Sequence, residues 1–273
     1  MTETSQPVRI ERDGDVAVVV LDSPPLNLFD PAMFNALENV AAELVALTDP
    51  AQPNRARAVL VKARGKVVSG GVDVAFFRDI AEGPEPIRRG ADLWTRLLRV
   101  AQTFEDLPVP TVFAAHGLTL TAAFELSLAC DILLAAEKAS FGLVEIVVGL
   151  TPSMGGPQRL AERAGPARAR ELIFTGERYP AAVLERWNVV NRVLPDEGFA
   201  EAAREYARRV AAGPTVAHAA TKQLVAAAVR QGARAADALV PEVSGALFAT
   251  EDLRGAVASF LTDGPGKATY AGR

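Results

Sequence analysis

The sequence predicts an α/β fold with crossover connections and a helical C-terminal region. Three observations carry this. Short valine-rich runs recur at 16–21, 58–62, 111–115, 132–135 and 189–193. Helical stretches lie between them, and the strand signal ends after Asp196. Continuous apolar runs of this length mark strands buried on both faces. Strands separated by helices require crossovers.

The first run, 16–21, leads to a helix over 31–47. Phe34, Leu37, Val40, Ala41, Leu44 and Val45 recur there at helical spacing, with Asp30 as N-cap and Pro31 in the first turn. Strand 58–62 is followed by a glycine-bearing loop over 66–73. A second helix spans 86–106, with Leu93, Trp94, Leu97, Leu98, Ala101 and Phe104 on its apolar side, and ends before Pro108. Strand 111–115 runs into His116-Gly117, and the segment 118–125 enters a helix of small residues. After strand 132–135, a loop at 149–156 opens the helix 157–164 through Gly155-Gly156-Pro157.

Beyond Asp196 helices are expected at 199–212, 216–231 and 234–259, the first two parted by Gly213-Pro214. A region with so little strand cannot extend the sheet, so it packs on the core or on another subunit. The chain is therefore divided into a core over 1–196 and a helical region over 197–273. Residues 262–273 read as a loop.

With 273 residues, 49% of them hydrophobic, the chain is one large domain with ample core. A net charge of −4 with both signs interspersed disfavours nucleic-acid binding. One cysteine, Cys130, excludes internal disulfides, and His116 and His218 have no ligand-spaced partners, so no metal site is expected. The polar segment 1–7 lacks an apolar signal region. No apolar run reaches the roughly 18 residues that a membrane span needs. A cytoplasmic protein is the expectation.

Two glutamates stand out. Glu125 lies within Ala123-Phe124-Glu125-Leu126, and Glu145 within Leu143-Val144-Glu145-Ile146. A carboxylate among aliphatics is costly unless paired, protonated or in use. Neither fits a capping box, because positions 122 and 142 are Ala and Gly. Two carboxylates in one dry cleft can divide acid and base roles. Small residues at 121–123 leave helix N-terminal amides accessible to an anion, or else allow close helix packing. The glycines of 66–73 allow backbone approach to a ligand, or simply form an ordinary loop.

The order of these motifs resembles the enoyl-CoA hydratase/isomerase, or crotonase, family over nearly the whole chain. Gly65-Lys66-Val67-Val68-Ser69-Gly70-Gly71-Val72-Asp73 matches the family's Gly-Lys-x-Phe-x-Ala-Gly-Ala-Asp-like stretch. His116 to Leu126, then Cys130-Asp131, match Asn-Gly-x-x-x-Gly-Gly-Gly-x-Glu-Leu and a following Cys-Asp. Phe141 to Leu160 match Phe-Gly-x-x-Glu-x-x-x-Gly followed by Pro and Gly-Gly-Thr-Gln-Arg-Leu. Thr175-Gly176, the stretch 188–191 and the ending Tyr270-Ala271-Gly272-Arg273 complete the series.

The resemblance implies a spiral of ββα units with a helical C-terminal region used for assembly as a homotrimer or homohexamer. It implies an acyl-CoA thioester as substrate, with no bound cofactor. The amides of Val72 and Ala122 fall on the family's oxyanion hole, and Glu125 and Glu145 on its two catalytic glutamates. Lys66, Val68, Ser69, Gly70 and Gly71 fall on the substrate-binding loop. The implied activity is hydration of an α,β-unsaturated acyl-CoA to a 3-hydroxyacyl-CoA. Alternatives are Δ3–Δ2 isomerisation, thioester hydrolysis, or a CoA-binding subunit without turnover. Departures from the pattern are Thr121-Ala122-Ala123 for Gly-Gly-Gly, Val68 for Phe, Ala75 for a common Lys, and Asn188 for Gly. Asn188 is compatible with the left-handed backbone such a glycine serves. His116, Cys130, Asp131 and Asp73 are expected to be structural.

Overall fold

The computed structural model describes residues 6–273. The segment 1–7 falls mostly outside that range. The chain opens with a hairpin, β1 (Val8–Asp13) and β2 (Val16–Leu21), then α1 (Pro31–Leu47) and β3 (Ala58–Ala63). Next come α2 (Val74–Ala81), α3 (Pro86–Asp106), β4 (Thr111–Ala115), β5 (Leu118–Leu120) and α4 (Ala122–Ala129). β6 (Ile132–Ala136), β7 (Ser140–Gly142), α5 (Gly156–Ala164), α6 (Pro166–Thr175), β8 (Tyr179–Pro180), α7 (Ala181–Arg186) and β9 (Arg192–Leu194) follow. Four helices end the chain: α8 (Phe199–Ala211), α9 (Thr215–Gln231), α10 (Ala233–Ala246) and α11 (Glu251–Asp263).

The main sheet has six strands in the order β1-β2-β3-β4-β6-β9. Only the β1–β2 pair is antiparallel; every other pair is parallel. A small second sheet, β5-β7-β8, stands at the end of the strands. The valine runs are continuous because both faces are covered. Val19, Leu21, Val59, Val61 and Phe113 face one core with α1, α3 and α4. Their alternates Val18, Val20, Leu60, Val112 and Leu134 face a second core built on Phe199, Ala203, Ala207 and Ala211 of α8. Those four residues recur every fourth position, so α8 lays a single narrow stripe on the sheet.

The first helix after Asp196 thus belongs to the core rather than to a separate unit. Strand β1 and the small sheet are additions to the sequence expectation. The expected strand 189–193 begins at Arg192, because Val189 and Val190 bond back to Leu184 O and finish the preceding helix instead. The expected helix 234–259 is broken at Thr250, whose hydroxyl caps α11 by accepting from Leu253 N at 3.1 Å. The tail is anchored: Asp252 Oδ1 accepts from Ala271 N at 2.6 Å, and Arg57 donates to Tyr270 O at 3.0 Å. Among the described residues no helix is long and apolar enough to cross a membrane, and no cluster of side chains suits a metal ion.

Candidate active site

Four of the nine candidate residues meet. Val72, Ala122, Glu125 and Glu145 line one cavity of about 20 Å³, room for about one water molecule. Aromatic and aliphatic side chains wall it: Phe34 from α1, Phe77 from α2, Trp94 and Leu97 from α3. The loop 150–154 closes the far side through Leu150, Thr151, Ser153 and Met154. Larger clefts of about 630 and 690 Å³ flank α9, and neither is lined by either glutamate.

Glu125 sits in the first turn of α4, every residue of which is buried. Its Oε2 accepts from Met154 N at 2.8 Å and Gly156 N at 2.7 Å. Two amide donors favour the carboxylate, but burial outweighs them and pushes its pKa up to about 7. Glu145 begins a single 3₁₀ turn, Glu145–Val148, and its Oε2 is buried with no hydrogen-bond partner among the described residues. Burial, then the nearby Glu125 charge, push its pKa up to about 8. The two carboxyls are thus unlike. One is held ionised-ready by amides, and the other is bare and favours its proton.

Neither candidate amide has a partner among the described residues. Phe29 N donates to Gly71 O at 2.9 Å and Asp73 N donates to Phe29 O at 3.1 Å. Val72 N, between them, donates to no described residue. Ala122 opens α4, where an amide has no partner within its own helix. Both NH groups belong to residues of the cavity wall that also carries the two carboxyls.

The loop before Val72 does its work inward. Ser69 Oγ donates to Asn27 O at 2.8 Å and accepts from Gly71 N at 3.0 Å, and Val68 is fully buried in the main core. Lys66 is exposed. Of Lys66, Val68, Ser69, Gly70 and Gly71, none lines the cavity. Asp73 caps α2 through Ala75 N at 3.0 Å. His116 Nε2 bonds Gly65 O at 3.0 Å, and Asp131 accepts from Thr111 and Lys222. These are the structural roles expected of them.

Sequence reasoning did not identify the Met154 and Gly156 amides as the partners of Glu125. The signal was there in Gly155-Gly156: a Cβ on Gly156 would lie 2.8 Å from Glu125 Cγ, so the close approach requires glycine. The wall residues Phe34, Phe77 and Trp94 carried no signal beyond apolar periodicity.

The model of the enoyl-CoA hydratase/isomerase family matches residues 11–267. A carnitinyl-CoA dehydratase of Salmonella arizonae is 32% identical over 220 residues, 81% of this chain and 80% of that protein. A short-chain-enoyl-CoA hydratase of Clostridium acetobutylicum is 28% identical over 258 residues, 93% and 94% of the two chains. The crystal structure of an enoyl-CoA hydratase from Bacillus anthracis superposes with a TM-score of 0.86 at 26% identity, covering 98% of this chain and all of that one. The ββα core, the small second sheet and the helical C-terminal region are therefore the crotonase fold, and the chain belongs to the enoyl-CoA hydratase/isomerase family.

Proposed function

We propose that the protein is an enzyme that adds water across the α,β double bond of an acyl-CoA thioester. The observation that carries this is the pair of unlike carboxyls, Glu125 and Glu145, sharing a one-water cavity with two unpartnered amides. Glu125, gripped by Met154 N and Gly156 N, takes a proton from water as its oxygen bonds the β-carbon. The π electrons shift to the thioester oxygen, which the Val72 and Ala122 amides stabilise. A donor of this kind contributes about 3–4 kcal/mol to the transition state. The enolate then takes the Glu145 proton at the α-carbon. Glu125 ends protonated and Glu145 ionised, and a proton passing back between them resets the site.

Dehydration of a 3-hydroxyacyl-CoA is the same path in reverse. Isomerisation or thioester hydrolysis would leave one of the two carboxyls without a task, so hydration fits the pair better. Exposed apolar side chains on the C-terminal helices support self-association, and the family resemblance is what makes a homotrimer or homohexamer the proposed form. Turnover against a panel of enoyl-CoA thioesters of different length and branching tests the proposal. Formation of a 3-hydroxyacyl-CoA from at least one of them is expected. Tight thioester binding with no turnover would instead favour a CoA-binding subunit.

A further inference from the structure

The residues that precede the two candidate amides are neighbours in space. Gly71 precedes Val72, and Thr121 precedes Ala122. A Cβ built on Gly71 would lie 3.3 Å from Thr121 Oγ1 and 3.5 Å from Thr121 Cγ2, so the threonine side chain lies over Gly71 and leaves no comfortable room for a methyl group there.

Thr121 is poorly suited to its place on every other count. Its backbone sits at φ +50°, ψ −123°, a region that β-branched residues avoid. It is 5% exposed, and its hydroxyl has no hydrogen-bond partner among the described residues. The backbone cannot relax, because Thr121 N donates to Gly142 O at 2.9 Å and Thr121 O accepts from Glu125 N at 2.9 Å. Glycine would meet neither difficulty. What glycine lacks is a side chain over Gly71.

We propose that Thr121 is a positioning residue whose side chain, wedged on Gly71, fixes the spacing of the Val72 and Ala122 amides so that both converge on one thioester oxygen. Two donors stabilise an oxyanion only if both hold hydrogen-bond distance to the same point. One donor rides on the loop after β3 and the other on the first turn of α4, two elements far apart in sequence. The Thr121 side chain over Gly71 brings them together immediately before the donors. The proposal rests on reading these amides as the oxyanion hole, but not on hydration, since any reaction through a thioester enolate needs the same geometry.

The test uses the full chain as wild type, Thr121→Gly and Thr121→Ser. Butyryl-CoA labelled with ¹³C at the carbonyl, saturated and so not hydrated, is bound, and its infrared carbonyl band reports the hydrogen bonds on the oxygen. In wild type the band is expected below its frequency in water. In Thr121→Gly it moves back towards the free value and broadens, and kcat on the best enoyl substrate falls about tenfold with KM nearly unchanged. Melting moves the other way, Thr121→Gly gaining about 2–4 °C as strain is released. Thr121→Ser keeps an oxygen on Gly71 and restores the band and most of the rate.

A residue that only supported the fold would lower melting temperature and rate together. That result, or a Thr121→Gly band and kcat equal to wild type, overturns the proposal. An unshifted band in wild type would overturn the oxyanion-hole assignment as well. Absence of hydration alongside a shifted band would count against the hydratase reading only, with the band comparison still deciding the role of Thr121.

Discussion

Glu145 is the residue whose chemistry is most exposed to test. Its buried, unpartnered oxygen and its pKa near 8 suit it to the proton-donor role in the proposed mechanism, in which Glu125, near 7, serves as the base. Replacing either by Gln is expected to lower hydration at least about a hundredfold, the scale of a lost general acid or base. The double variant should be little worse than either single one, because both groups act in one step. Steady-state rates of the three variants decide this; a fully active single variant would sink the two-carboxylate mechanism. The same shifts set the pH dependence. Activity needs Glu125 ionised and Glu145 protonated, so kcat/KM should be bell-shaped with limbs near 7 and 8 that belong to the pair. Both carboxyls have folded pKa values raised above their unfolded ones. Their stabilising contribution is complete below about pH 4.5 and is lost as pH rises through 7 and 8. For Glu145 that loss is about 3–5 kcal/mol at full ionisation. Glu145→Gln should therefore melt above wild type by a margin that is larger at pH 9 than at pH 5. Scans showing an equal margin at both would falsify the assignment. Glu125, Glu145 and the left-handed Asn188, at φ +61°, were all legible as lone residues. The strain at Thr121 was not, because a threonine gives no local sign of a positive φ imposed by its neighbours.

Among the elements, the loop ahead of α5 is the one on which the base depends. A Cβ on Gly156 would meet Glu125 Cγ at 2.8 Å and Oε2 at 2.9 Å. Gly156→Ala is expected to push the carboxylate off its two amides, lowering kcat by ten- to a hundredfold while KM moves little. A crystal structure of the variant, or an unchanged pH profile, would check whether the carboxylate has moved. The long amphipathic helices α1 and α3 were readable because burial on one face leaves a 3.6-residue period, and Asp30 caps α1 through Met33 N at 2.7 Å as its position suggests. Short elements were not. α2 has no fully buried residue, so it shows little of the core-facing signal that betrays a helix. The strands of the small sheet are two or three residues long and are specified by pairing across the chain. The break at Thr250 has no glycine or proline within four residues on either side, and only the capping hydroxyl marks it.

For the whole molecule, the apolar surface is unevenly placed. Phe248, between α10 and α11, and Phe260 and Leu261 of α11 are 74%, 60% and 79% exposed. Side chains of that size left in water favour burial against a partner. Light scattering at micromolar concentration is expected to show an oligomer, and charged replacements at Phe260 and Leu261 should shift it towards monomer; a clean wild-type monomer would overturn this. The sheet order and α8's place over its second face were not legible, since they depend on which strands pair across long stretches of sequence. The cavity's size has a kinetic consequence. About 20 Å³ admits a water but no acyl chain, so association with a thioester must include a step in which the wall parts. Of the helices α1 to α4 that supply the wall, only α2 has no buried residue, and it meets α3 through Phe77 against Trp94, ring centroids 5.7 Å apart. In stopped-flow mixing, the rate of the Trp94 emission change, isolated in a Trp187→Phe background, should therefore level off at high thioester concentration. The plateau would be the opening rate of the wall, and a strictly linear dependence would mean that it stands open already.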